Sequence, residues 1–310
     1  MIRIRPLATT VFVLLAMGLA WLVALPLWLG EGLAEPYARP LTAAVMYTPA
    51  LAAVFVLLVM RPVPKGQRLR FLGVWPVHPA KRVIWMSVIA LSGTVAVVVV
   101  AMLVAAALGW LPSDFAELSG YRLLLESALP AGAALPPTWL VVASQLAIVP
   151  VAAATVNALA AFGEELGWRG YLVPALRGLG TWPALLISGA IWGLWHAPLI
   201  LLGYNFGRTD ITGVLLMTGA CIVWGVLLGW LRLRTGSVWP AVFAHGALNA
   251  SAGLPLLFLA TGEAFDPALG YALGVSGWIV GAVVILALLV TGQFRRQPQL
   301  TASGRGRRAA

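Results

Sequence analysis

The chain has 310 residues, of which 61% are hydrophobic and only 10% charged, with a mean hydropathy of +0.94. An ordinary soluble domain carries about 25% charged residues, so a water-soluble globule is excluded. The net charge of +10 does not point to nucleic acid, because the basic residues lie between apolar runs and do not gather on one folded face.

Apolar runs of about 20 residues predict eight transmembrane helices. In chain order they are Leu7 to Gly30, Leu41 to Met60, Val83 to Trp110, Thr138 to Phe162, Trp182 to Leu202, Ile211 to Leu231, Val238 to Ala260 and Ala268 to Thr291. The first run is too long for a secretory h-region and has no clear small-residue cleavage site, so it reads as a retained span. With connectors assigned alternately, 17 of the 20 Lys and Arg fall on one side and eight of the ten acids on the other. That asymmetry predicts an all-α, polytopic membrane protein of about eight transmembrane helices with both termini cytoplasmic. Cys221 stands alone, which excludes an intrachain disulfide and a cysteine-based metal cluster. No repeat of fixed period is visible, the Arg61 to Arg82 stretch reads as a basic connector, and the tail from Gln293 to Ala310 is polar, Arg-rich and expected to be disordered at its end.

Glu164 and Glu165 are the two acids left over, and they read as standing at the cytoplasmic end of the fourth span. Ionisable residues at membrane depth cost a few kcal/mol and so require a partner or a wet cavity. On a helix Glu165 and Arg169 are i and i+4 and can pair, while Glu164 points about 100° away and is free for other work. Of the three histidines, His78 lies in the basic loop, where solvation accounts for it, but His196 and His245 fall inside apolar helices. Trp192 precedes His196 by one turn and Asn249 follows His245 by one turn. His196 lies about 21 Å along an ideal helix from Trp182, and His245 about 10 Å from Val238.

A carboxylate and an imidazole converging on one water can take its proton, while a second imidazole and a carboxamide can donate to a developing oxyanion. No Gly-x-Ser-x-Gly elbow and no His-Glu-x-x-His helix occurs, which weakens serine and zincin readings. Most of the 14 Trp are explained by the lipid interface, and Gly and Pro inside spans by packing and bending.

Taken in order, Glu164-Glu165-x-x-x-Arg169-Gly170, then Trp192-x-x-x-His196, then His245-x-x-x-Asn249 resemble the CAAX-protease and bacteriocin-processing family of intramembrane proteases. Trp192 stands where the family usually has Phe. The resemblance covers roughly residues 138 to 260 and implies three parts: N-terminal helices 1–3 with the basic cytoplasmic loop (1–137), a catalytic core (138–260), and the last helix with a basic tail (261–310). It implies catalytic roles for Glu164 and His196 in activating water and for His245 and Asn249 in holding the oxyanion, with Glu165, Arg169 and Trp192 orienting the site. The family is widely described as metalloproteases, so the cofactor stays open: none required, or one divalent metal such as zinc, for which Glu164, His196 and His245 are the candidate ligands.

The partners expected are membrane lipid and a peptide or membrane-anchored protein substrate, with no nucleic acid. The Ala, Gly, Arg and Trp content suggests a bacterial source, hence a multi-pass inner-membrane protein with its active site toward the cytoplasmic side. The alternative is a non-catalytic immunity or scaffold protein, or a proton-coupled transporter using the same fold. A proton path needs titratable groups across the bilayer, and the intramembrane acids lie together.

Overall fold

The computed structural model describes residues 5–130 and 133–297. Each apolar run closes its backbone hydrogen bonds within itself, as a lipid-exposed chain must. Seven helices are long and apolar enough to cross a membrane: α1 (Pro6–Leu29), α2 (Ala38–Met60), α3 (Ala80–Ala107), α5 (Thr181–Ile200), α6 (Ile211–Thr235), α7 (Trp239–Phe258) and α8 (Pro267–Val290). Between α3 and α5 lies α4, a span bent by 41° into two halves, Thr138–Ala154 and Val156–Leu179. All eight predicted spans therefore have a helical counterpart in an all-α fold. The tail beyond Gln297, expected to be disordered at its end, lies outside the described residues.

The packing is that of a bundle in lipid. Along α1, Ala8, Phe12, Ala16, Ala20, Ala24 and Leu27 are buried at a spacing of three to four, while Leu7, Leu14, Leu22 and Leu29 face outward. Between α5 and α6 small residues bring the backbones together: a Cβ on Gly193 would stand 2.3 Å from Thr218 Cα, and one on Gly189 2.8 Å from Ile222 Cα.

The fourth span departs from its prediction. The sequence reading ends it at Phe162 because charges follow, yet the helix continues to Leu179 through a π-helical stretch, Leu166–Leu172. The charges are accommodated inside: Arg169 is 1% exposed and paired with Glu165. Gly163 and Gly167 let the helix pass against the kinked α2, where a Cβ on Gly167 would lie 2.4 Å from Pro49 Cβ. Glu164 and Glu165 thus lie inside a span and not at its end.

Arg232, also assigned to a connector by the sequence reading, is 2% exposed within α6. It donates to the carbonyls of Arg169 and Phe71 at 3.0 and 2.8 Å. Gly236 ends α6 with φ +73°, a left-handed turn, and Ser237 and Val238 then bond to the Gly73 carbonyl. The basic loop is consequently docked onto the α6–α7 turn.

The break in α4 falls at Thr155 (φ −118°, ψ −97°), and α7 seats there: a Cβ on Gly246 would lie 2.5 Å from Ala153 O and 3.0 Å from Ala158 N. The helices carrying Glu164 and His245 are therefore in close backbone contact at this level. Gly246→Ala is expected to force these helices apart at a cost of about 1–3 kcal/mol and to displace the neighbouring His245; thermal unfolding of the purified variant measures the first effect.

Candidate active site

The continuation of α4 brings Glu164 to the depth of His196. Gly180 joins α4 to α5, and Glu164 lies 16 residues before it and His196 16 residues after it. At 1.5 Å per residue each is about 24 Å from the shared turn. Both groups therefore lie at one level along α4 and α5.

There the helices converge. Trp192 Nε1–H donates to Glu164 Oε2 at 2.6 Å, fixing that carboxylate from the neighbouring helix. Glu165 Oε1 accepts from Arg169 Nη1 at 2.7 Å and from His245 Nδ1 at 2.8 Å, so one oxygen ties α4 to α7. The Arg169 guanidinium stacks 4.2 Å over the Trp192 ring, which completes a loop of contacts through Glu164, Trp192, Arg169, Glu165 and His245. The Trp192 and His245 rings meet edge to face at 5.3 Å. Exposure is 2% for Glu164, 0% for Glu165, 8% for His196 and 4% for His245, so the cluster is enclosed.

The hydrogen bonds assign the imidazole protons. His196 Nδ1 lies 2.9 Å from the Trp192 carbonyl, which can only accept, so Nδ1 carries a hydrogen and Nε2 presents its lone pair when the ring is neutral. His245 Nδ1 likewise donates to Glu165, and its Nε2 becomes a donor when the ring is doubly protonated. Cys221 Sγ approaches His196 Nδ1 at 3.8 Å from α6, a pairing across helices that no spacing within the sequence reveals. Because that nitrogen already donates to Trp192, it is no base for the thiol. Asn249 is half-buried one turn beyond His245 and, among the described residues, makes no side-chain hydrogen bond, so its amide is not tied into the cluster.

Among the described residues no three His, Cys, Asp or Glu side chains stand close enough together to hold an ion. Each histidine donates through Nδ1, to the Trp192 carbonyl and to Glu165, and Glu164 accepts from Trp192 through one oxygen, which leaves both Nε2 atoms and the second Glu164 oxygen without a hydrogen-bond partner among the described residues.

On the side away from Gly180, the connection after α5 brings Tyr204 toward the site. Its residue is 39% exposed, yet burial of its hydroxyl end and then the Glu164 charge raise the phenol above its ordinary range. The sequence reading does not single it out.

Residues 146–251 match the family model of type II CAAX prenyl endopeptidases, Rce1-like. All seven site residues lie within that segment. Over 97 residues the chain is 32% identical to CAAX prenyl protease 2 of Methanococcus maripaludis, in an alignment covering 29% of this chain and 36% of that relative. The chain thus spans little more than a third of the length of the curated relative it matches.

Proposed function

We propose that this chain, whose residues 146–251 carry the Rce1-like CAAX-protease sequence, is an intramembrane endopeptidase acting on a membrane-associated protein or peptide. The observation that carries the reading is the convergence, at one level of the bundle, of Glu164, His196 and His245 from three different helices. Glu164, held by Trp192, takes a proton from a water that His196 Nε2 also accepts from, and the resulting hydroxide attacks the peptide carbonyl. His245, doubly protonated against the Glu165 carboxylate, and the Asn249 amide then donate to the oxyanion. Glu165 and Arg169 hold His245 and the Trp192 ring in place. The proton taken by Glu164 passes to the leaving amine, which balances the hydrolysis.

This route uses side chains alone. It is favoured over the zinc set because, among the described residues, no three His, Cys, Asp or Glu side chains stand close enough together to hold an ion. The protein is read as a multi-pass protein of a bacterial inner membrane with both termini in the cytoplasm, supported by the charge asymmetry. The active site is read as facing the cytoplasmic side. His245, which holds Glu165, stands seven residues into α7 from Val238, about 10 Å from the α6–α7 turn onto which the basic loop docks, and this supports an approach from the cytoplasmic side.

Cleavage of a quenched fluorescent peptide library by the detergent-purified protein tests the proposal. Wild-type cleavage is expected to persist with a chelator present and to fall at least about 100-fold in His245→Ala, the scale of losing an oxyanion donor. Equal cleavage by both proteins would sink the site assignment, and loss of wild-type cleavage on chelation would sink the metal-free route.

A further inference from the structure

The end of the bundle at Gly180 holds a cavity of about 560 Å³ between the start of α5 (Thr181, Trp182, Pro183) and the end of α8 with the turn after it (Leu289, Phe294, Arg295). Its walls are of two kinds. Thr181 and Arg295 are polar, while Leu289, Trp182 and Phe294 are apolar, the two rings meeting at 4.8 Å. Both helices end here, so the cavity lies where the spans leave the hydrocarbon, and Val290, 79% exposed, continues its apolar side outward.

The charge around it is of one sign. Arg177 donates to Thr181 Oγ1 at 3.1 Å and to Gln297 Oε1 at 2.8 Å, uncharged partners that do not neutralise it. Arg82 donates to the Arg234 carbonyl, and Arg234 feels the like charges of Arg82 and Arg296. The ion pairs among the described residues lie elsewhere, at Glu165 and at Arg208–Asp266. The acids outside the active site sit in connectors at the other end of the spans.

We propose that this cavity binds an anionic phospholipid, with the phosphate at Arg295 and Thr181 and an acyl chain along Leu289 and Trp182. Among the described residues the cationic rim has no carboxylate as counter-charge, and a half-apolar wall at the end of two spans fits an amphiphile better than a free anion. The chain's own C-terminal stretch, with Arg305, Arg307 and Arg308, has the wrong sign to fill it. The reading is independent of catalysis, because Thr181 lies 15 residues from His196 along α5.

The test is thermal unfolding of the full chain in an uncharged detergent, titrated with phosphatidylglycerol, phosphatidylcholine or inorganic phosphate. Phosphatidylglycerol is expected to raise Tm and the other two to leave it unchanged. Arg295→Ala should raise the half-saturating lipid concentration about fivefold, the effect of one basic residue at an anionic surface. Leu289→Trp, which fills the apolar wall without changing charge, should also weaken binding, whereas Lys65→Ala in the exposed loop should bind as wild type. The proposal is overturned if Arg295→Ala and Leu289→Trp saturate as wild type does, if Lys65→Ala weakens binding as much as Arg295→Ala, or if phosphate alone reproduces the shift.

Discussion

Replacing Glu164 by Gln is expected to lower peptide hydrolysis by about 10²- to 10⁴-fold, the usual contribution of a positioned general base. Gln keeps the shape of the side chain and an oxygen to accept from Trp192 Nε1, so the hydrogen bond across α4 and α5 survives. What disappears is the capacity to take a proton. Thermal unfolding of the variant should therefore stay close to wild type while kcat/KM collapses. A parallel loss of folding would mean that the carboxylate is structural. Retention of most activity would move the base elsewhere, with His196 Nε2 as the remaining acceptor.

The second large effect is expected on stability. Glu165→Ala removes the oxygen shared by Arg169 and His245 and leaves a guanidinium that is 1% exposed without a carboxylate. Breaking a buried pair by removing one partner costs about 3–5 kcal/mol, most of it the penalty of the orphaned charge. Removing both, as in Glu165→Leu with Arg169→Leu, should recover much of that loss, and a double-mutant cycle on unfolding free energies measures the coupling. Activity should remain low in the double variant because His245 has lost its anchor. An additive cycle would show that the two charges do not depend on one another.

How far the sequence reveals this molecule depends on the range of each interaction. Spans are legible because a run of about 20 apolar residues is a local property. The Glu165–Arg169 pair is legible for the same reason, since one helical turn fixes it. The true end of α4 is not: the charges that look like a boundary are satisfied by Trp192 and His245, which lie 28 and 80 residues away. Arg232 misleads in the same manner, because its carbonyl partners, Arg169 and Phe71, belong to other segments. Trp192 stands at a position readable as a conservative change from Phe. Only the assembled bundle shows that its indole N–H does what a phenyl ring cannot, which is to hold the carboxylate of Glu164.

The placement of the Glu165–Arg169 ion pair within one helix also bears on how the membrane receives the chain during synthesis. A charge at the centre of an inserting helix costs roughly 2.5–3.5 kcal/mol. Glu165 and Arg169 can cancel one another as soon as α4 forms, before any later span exists. Glu164 has no such partner until Trp192 arrives with α5, and Glu165 gains His245 only when α7 is made. The polar centre is thus neutralised in the order in which the ribosome delivers its parts, and a nascent chain halted before Trp192 would leave one carboxylate facing the lipid alone.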